Sequence, residues 1–174
     1  EAIMNLKKKN IPFVLLDRYV DEFPTNYVAS DNFDGAYNAV QHLIEQGHTR
    51  IAFLGYQFFL SSEKDRYKGY VKAMENAGIQ NPDNLVFQNA HNSYDKIIQR
   101  INNREITAVL AVNDTLAIDF IKVCMENSIK VPDDVAVMGF DDIDSAKYQR
   151  VPLSTVKQYF QKMGHEAARV LIHS

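Results

Sequence analysis

Short apolar runs alternate with segments of helical periodicity along most of this 174-residue chain. The runs that are typical of buried strands lie at residues 51–55, 84–87, 107–112 and 135–140. Before, between and after them, apolar side chains recur at the three- and four-residue spacing of amphipathic helices. This alternation is the pattern of βα units around a parallel sheet, so the sequence predicts an α/β fold with right-handed crossovers.

The two ends of the chain extend this pattern. Residues 1–10 are typical of the last turns of an amphipathic helix, so we expect the first portion of its domain to lie upstream. The alternative is a frayed N-terminal helix of a complete domain. The apolar run at 11–16 predicts a buried strand, residues 26–30 predict a second, and 154–156 predict a brief third. Asp31 or Asn32 is expected to cap the following helix.

Composition excludes several classes of function. The 19 Lys and Arg residues against 22 Asp and Glu give a formal charge of −3, whereas nucleic-acid-binding faces are usually basic. Cys124 is the single cysteine, so no internal disulfide or C-x-x-C site can form, which fits a reducing compartment such as the cytoplasm. No apolar run approaches the ~18–20 residues of a membrane span, and no signal peptide is visible.

Polar side chains follow the predicted strands at the sheet edge where α/β proteins bind ligands. They are Asp17 and Arg18, Asp65 and Arg66, Asn113 and Asp114, Asp141 and Asp142, and Lys157 and Gln158. Such acceptors, donors and a planar guanidinium suit a small polyhydroxylated or planar ligand. Structural roles without ligand binding stay open for these residues. They are helix capping for Asp31, Asn113 and Asp114, turn formation for Asp141 and Asp142, and a surface charge for Arg66.

Several strings together resemble the effector-binding core of the LacI/GalR family of bacterial transcription regulators. In chain order they are residues 14–18 (VLLDR), 31–36 (DNFDGA), 42–55 (HLIEQGHTRIAFLG), 66–70 (RYKGY), 111–114 (AVND), 131–143 (VPDDVAVMGFDDI), 152–158 (PLSTVKQ) and 163–168 (MGHEAA). Any one string is weakly specific, but together they cover nearly the whole chain in the family's order.

The resemblance implies a periplasmic-binding-protein-like fold of two parallel-sheet lobes with flanking helices and a ligand cleft between them. Residues 31–158 would form the C-terminal lobe, and residues 1–30 and 159–174 would form part of an incomplete N-terminal lobe. The DNA-binding domain, usually a helix-turn-helix, would lie upstream and is absent from this chain. An incomplete lobe would leave apolar surface at residues 11–16 exposed unless something covers it.

The resemblance also assigns a site. Effector contacts fall on Asp17, Arg66, Asn113, Asp141 and Gln158, and the aromatic residues Tyr19, Phe33, Tyr56, Phe58 and Phe59 are candidates for stacking on the ligand. The implied partners are a small-molecule effector such as a sugar, operator DNA bound through the missing domain, and a second copy in a homodimer. Neither a cofactor nor a metal is implied. Arg66→Ala is expected to weaken effector binding strongly and to leave the fold intact.

Other functions compete with this interpretation. A periplasmic-type sugar-binding protein would share the fold without a role in DNA binding, and the 131–143 and 152–158 strings favour the regulator. An enzyme is disfavoured because no nucleophile elbow, phosphate-binding glycine loop or metal-ligand spacing is present. Within the regulator interpretation, a GntR-type DNA-binding domain in place of the usual one stays open.

Overall fold

The computed structural model describes residues 2–80 and 82–173. In chain order the elements are α1 (Ala2–Lys8), β1 (Leu15–Leu16), β2 (Tyr27–Val28), α2 (Asn32–Glu45), β3 (Ile51–Leu54), α3 (Ser61–Asn76), β4 (Val86–Phe87), α4 (Ala90–Asn102), β5 (Ala108–Ala111), α5 (Asp114–Glu126), β6 (Ala136–Asp141), α6 (Asp144–Lys147), β7 (Ser154–Lys157) and α7 (Phe160–Ile172). A 3₁₀ turn, Pro82–Leu85, precedes β4. Among these helices, none has the length and hydropathy required to cross a bilayer.

The larger sheet has five parallel strands in the order β4-β3-β5-β6-β7. Two of its three inner strands, β3 and β5, are buried along their whole length, as expected of parallel strands covered by helices on both faces. The predicted α/β fold with a parallel sheet and flanking helices is therefore confirmed. Because all strands run the same way, their carboxyl ends meet at one edge, where α3 and the segment after β7 also arrive.

A separate two-stranded parallel sheet is formed by β1 and β2, and α7 lies against both strands. Here the sequence prediction was wrong in one respect: the run at 11–16 forms only a two-residue strand and is not buried. Ile11 is 45% exposed and Leu16 is 48% exposed. The reason is that β1 pairs, within the described residues, with β2 alone. Apolar side chains of this run are thus exposed, and the division of the chain into lobes stays a prediction.

Two local features differ from the sequence pattern. Asp65 and Arg66 were grouped with the polar residues that follow the predicted strands, but α3 already begins at Ser61 and contains both. Arg66 therefore lies in the second turn of a helix, which fixes its direction. The helix α6 was not predicted, because four residues are too few to show a periodic pattern.

Cys124 lies on α5 and is completely buried, and burial raises the pKa of its thiol to about 12. Since the thiolate is the reactive form, we expect Cys124 to be inert towards a thiol reagent such as Ellman's reagent in the folded chain. The thiol should be titrated in full once the chain is unfolded in guanidinium chloride. Rapid reaction under native conditions would show that α5 opens readily and would contradict this packing.

Candidate functional site

Arg66 occupies the centre of the sheet edge at which the strands end. Its side chain is buried, with the residue 5% exposed, and all three guanidinium nitrogens face protein acceptors. Nε donates to Asn32 Oδ1 at 2.8 Å, Nη1 donates to the Val112 carbonyl at 2.5 Å, and Nη2 lies 3.3 Å from Asp141 Oδ1. Burial lowers the pKa of Arg66, and the negative charges of Asp141 and Asp17 oppose this shift. The guanidinium also lies 3.8 Å from the centre of the Phe140 ring, a cation–π contact.

Asp141 and Gln158 lie beside this guanidinium at the ends of two neighbouring strands. Gln158 Nε2 donates to Asp141 Oδ1 at 2.6 Å, and its backbone N–H donates to the Asp141 carbonyl at 3.2 Å. Burial raises the pKa of Asp141, whereas Arg66 and the Gln158 amide favour the ionised form. Gln158 Oε1 is buried and has no hydrogen-bond partner among residues 2–80 and 82–173.

The backbone at the end of β6 is strained. Asp141 and Asp142 have positive φ angles of 125° and 55°, and residues other than glycine rarely adopt positive φ. Such strain persists only where the surroundings fix the conformation, and it is concentrated at binding sites. Here the fixed conformation turns the Asp141 carboxylate towards Arg66.

Asn32 joins this network and was not identified from the sequence as a candidate site residue. It is buried at the start of α2, its Oδ1 accepts from Arg66, and its Nδ2 donates to the Ser30 carbonyl at 3.1 Å. It therefore links the segment after β2 to the edge of the larger sheet. The sequence offered Asn32 as an alternative helix cap, but Asp31 fills that role by accepting from the Asp34 N–H at 2.9 Å.

The segment after β1 approaches the same site from the smaller sheet. Asp17 has a φ of 73°, pairs with Arg18 at 3.4 Å, and is close enough for its charge to affect the pKa of both Arg66 and Asp141. Tyr19 secures this segment to α3, because its N–H donates to Ser61 Oγ and its hydroxyl donates to Asp65 Oδ2, both at 2.8 Å. The hydrogen bond to Asp65 is the main reason that the pKa of Tyr19 rises to about 12.

The pair Asn113 and Asp114 has structural roles at the start of α5. Asn113 Oδ1 accepts from the Leu116 N–H at 2.9 Å, so the residue is a helix cap. Asp114 is completely buried and accepts from Thr155 Oγ1 at 2.5 Å and from the Ile143 N–H at 2.9 Å. Asp114 thus ties α5 to β7 and α6. The assignment of Asn113 as an effector contact stays a prediction.

Four of the five candidate stacking residues lie near another ring, and the fifth, Phe59, is 77% exposed. Tyr19 lies 5.1 Å from Tyr27, Phe33 lies 6.4 Å from Tyr37, and Tyr56 lies 6.4 Å from His91. Phe58 stacks on Tyr67 at 5.0 Å and meets Phe53 edge-on at 5.7 Å, so its ring is part of an aromatic cluster of the protein. Whether any of these rings touches a ligand stays a prediction.

Glu63 is a further carboxylate that sequence reasoning missed. It is 7% exposed, lies three residues before Arg66 on α3, and accepts from the Phe58 N–H at 3.0 Å. Burial raises the pKa of Glu63, and the positive charges of Arg66 and Arg18 oppose this rise. A glutamate in the first turn of a helix is usually an exposed charge, so no sequence signal marked it.

Together these groups form a hydrogen-bonding site with fixed donors and acceptors. Across the described ranges, no group of three His, Cys, Asp or Glu side chains is arranged to hold a metal ion. The arrangement can bind a polar ligand by its hydroxyl or amide groups, since carboxylate oxygens and guanidinium and amide N–H groups are all present.

Comparisons with known proteins point in the same direction. Residues 40–174 match the model of the periplasmic binding protein-like domain. The HTH-type transcriptional regulator DegA of Bacillus subtilis is 32% identical over 171 residues, which cover 97% of this chain and 51% of DegA. The transcriptional repressor PurR of Glaesserella parasuis is 30% identical, with 94% of this chain and 49% of PurR covered. This chain therefore spans about half the length of these curated relatives.

A solved structure shows the same architecture. The LacI family transcriptional regulator from Enterococcus faecium with bound ribose superposes with a TM-score of 0.84 at 28% identity. The alignment covers 97% of this chain and 64% of that protein.

Proposed function

This chain belongs to the family of periplasmic binding protein-like domains, in the form found in LacI-type regulators, and on that premise we propose that it senses a sugar or a related small metabolite. The observation that carries this proposal is the buried network of Arg66, Asp141 and Gln158 at the carboxyl ends of β6 and β7. Charged side chains are rarely buried unless they are paired with an opposite charge or bind a ligand, and this network lies where α/β sheets bind ligands. Asp17 faces it from the smaller sheet, so a ligand here would touch both sheets.

We propose that the two sheets belong to two lobes. Residues 31–158 would form one lobe, and residues 1–30 together with 159–174 would contribute to the other. Asn32 and Gln158 would then lie at the two crossovers between lobes. Exposed apolar side chains on the smaller lobe, at Ile11, Leu16 and Tyr27, support completion of that lobe by other parts of a longer protein.

Effector binding would act on DNA through the balance between open and closed lobes. A ligand that touches both lobes binds the closed state better and shifts the population towards it. In a cytoplasmic homodimer this closure would move the DNA-binding segments and change operator affinity, with a coupling of typically ~1–3 kcal/mol. The curated relatives are HTH-type regulators, which favours this role over that of a periplasmic sugar carrier or an enzyme.

The substitution Asp141→Asn tests the site with little change in shape. It removes the negative charge of the carboxylate that pairs with Arg66 and that would accept a hydrogen bond from a ligand hydroxyl. We therefore expect effector affinity to fall by at least roughly tenfold. A thermal-shift panel of monosaccharides, disaccharides, sugar phosphates and nucleobases on the natural full-length protein identifies the effector, and calorimetry then gives the affinity. A ligand at ~100 times its Kd adds about 2.7 kcal/mol of stability.

The matched control is Asp144→Asn, because the Asp144 side chain is exposed on α6. It should bind the effector as the unsubstituted protein does. Equal effector affinity in Asp141→Asn and Asp144→Asn would show that the Arg66–Asp141 network is not the binding site.

A further inference from the structure

Asp114, at the start of α5, carries a buried carboxylate that has no part in the proposed ligand contacts. The residue is completely buried, and both carboxylate oxygens accept hydrogen bonds. Oδ1 accepts from the Thr155 hydroxyl at 2.5 Å, and Oδ2 accepts from the Ile143 N–H at 2.9 Å. Burial raises the pKa of Asp114, and these two donors oppose the rise. A carboxylate held in a protein core by neutral donors is less favourable than an apolar side chain of similar size, which points to a role for it.

The contacts of Asp114 converge on the backbone just after Asp141. The Ile143 N–H is bound directly by the Asp114 carboxylate. The Thr155 hydroxyl, which donates to Asp114, also accepts from the Asp142 N–H at 3.3 Å. Asp114 therefore holds two successive backbone N–H groups, one directly and the other through Thr155.

These two N–H groups belong to the strained turn at the end of β6. Asp141 and Asp142 have φ angles of 125° and 55°, and a backbone of this kind persists only where its surroundings fix it. The directions of the Asp142 and Ile143 N–H groups depend on the backbone angles of the residues at this turn. Hydrogen bonds to both groups therefore hold the turn in its strained form.

Gly139 on β6 allows the carboxylate to come this close to the sheet. A Cβ at Gly139 would overlap Asp114 Oδ1 and would lie 3.2 Å from the Asp114 Cα. Gly139 is also the residue that pairs with Thr155 between β6 and β7. The Asp114 carboxylate thus lies against the strand pair at whose ends Asp141 and Gln158 are placed.

The placement of Asp141 matters because its carboxylate makes two close polar contacts at the site. Asp141 Oδ1 lies 3.3 Å from Arg66 Nη2 and accepts from Gln158 Nε2 at 2.6 Å. A binding group of this kind must be held to within about 0.5 Å by the residues behind it. The strained turn is the part of the backbone that carries the Asp141 side chain, so whatever fixes the turn also fixes the carboxylate.

We propose that Asp114 and Thr155 are positioning residues of the effector site. They hold the strained turn, and the turn in this form directs the Asp141 carboxylate towards Arg66 and Gln158. Asp114 is completely buried, so it acts on a ligand only through Asp141. This inference rests on the proposed function and adds to that site two residues that support a ligand contact.

NMR spectroscopy of the 174-residue chain tests the positioning role without a ligand. The Gln158 side-chain amide donates to Asp141, so its signals report on the place of the Asp141 carboxylate and shift as that carboxylate titrates. Thr155→Val keeps the shape of the side chain and removes the hydroxyl. We expect the Gln158 amide signals to lose the shift due to this hydrogen bond and to stop following the titration of Asp141. Thr155→Ser keeps the hydroxyl and should restore both properties.

Asp114→Asn reaches the same turn from α5 instead of β7. An amide NH₂ group cannot accept a hydrogen bond, so asparagine can serve only one of the two donors, and the Gln158 signals should change as in Thr155→Val. Thr107→Val is the control for a general loss of stability. Thr107 Oγ1 lies 3.1 Å from His48 Nδ1 at the opposite end of the sheet, so its loss should leave the Gln158 signals unchanged.

The outcomes separate this inference from the proposed function. Gln158 signals that stay unchanged in both Thr155→Val and Asp114→Asn overturn the positioning role and leave the proposed function standing. The same holds if Thr107→Val changes these signals as much as Thr155→Val does.

Calorimetry with the panel of sugars, sugar phosphates and nucleobases adds a second measurement. A compound that loses affinity in Asp141→Asn should also lose affinity several-fold in Thr155→Val and regain it in Thr155→Ser. A loss in Asp141→Asn alone overturns the positioning role. The proposed function fails separately, if no compound of the panel binds, and the NMR result then still decides the positioning of Asp141.

Discussion

The substitution Arg66→Ala is expected to lower the free energy of unfolding by about 3–5 kcal/mol, as is typical when one partner of a buried ion pair is removed. Asp141 would keep a carboxylate in a half-buried position without its cation, and burial already raises the pKa of that carboxylate. Asn32 Oδ1 and the Val112 carbonyl would also lose the donor that each has in the folded chain. The sequence predicted that this substitution leaves the fold intact, and the buried contacts of Arg66 change that expectation.

Urea unfolding of the 174-residue chain measures the effect. Lys64→Ala is the matched control, since Lys64 is an exposed cation on the same helix and should change stability by less than about 1 kcal/mol. In the double variant Arg66→Ala/Asp141→Asn the carboxylate is gone, so the loss should be smaller than the sum of the two single losses. A loss below about 1 kcal/mol for Arg66→Ala would contradict the buried network.

This expectation also explains why effector binding is better tested with Asp141→Asn. A variant that unfolds loses ligand affinity whatever the role of the residue. Asp141→Asn keeps the volume of the side chain and the hydrogen bonds of Arg66 to Asn32 and the Val112 carbonyl. Its stability cost should therefore be smaller than that of Arg66→Ala, although the buried guanidinium loses its counter-charge. A loss of affinity in that variant can then be attributed to the site.

The sequence predicted the sheet well because its strands are short, apolar and separated by clear helical periodicity. Strands β3, β5 and β6 and the cap at Asp31 all depend on local pattern, and the structure confirms them. The prediction that the run at 11–16 is buried was wrong, because burial depends on which elements pack against a strand. The apolar composition of the strand alone does not show which element packs against it.

The candidate site was predictable only in part. Arg66, Asp141 and Gln158 could be placed together because strand ends meet at one edge of a parallel sheet. Asn32 and Glu63 could not be placed, since polar residues in a first helical turn are usually exposed or capping. Glu63 is held by the Phe58 N–H, and Asn32 reaches Arg66 because α2 packs on α3. That packing in turn depends on a glycine.

Gly69→Ala is expected to destabilise the chain by at least about 2 kcal/mol, although alanine is the better helix former by about 1 kcal/mol. A Cβ at Gly69 would overlap the Phe33 carbonyl oxygen and lie 3.0 Å from the Tyr37 backbone nitrogen. These are backbone atoms of α2, so they cannot rotate away as a side chain would. The two helices must separate to admit the methyl group.

Gly164→Ala provides a control with the opposite expected sign. Gly164 also lies within a helix, α7, but a Cβ there meets nothing within 4 Å, so alanine should stabilise the chain by up to about 1 kcal/mol. In thermal unfolding, each 1 kcal/mol corresponds to roughly 2–4 °C for a chain of this size. If both variants raise the midpoint of thermal unfolding, that result contradicts the close contact of α2 with α3. If Gly69→Ala alone lowers it, the separation of α2 from α3 should also lengthen the 2.8 Å bond between Asn32 and Arg66 and weaken effector binding.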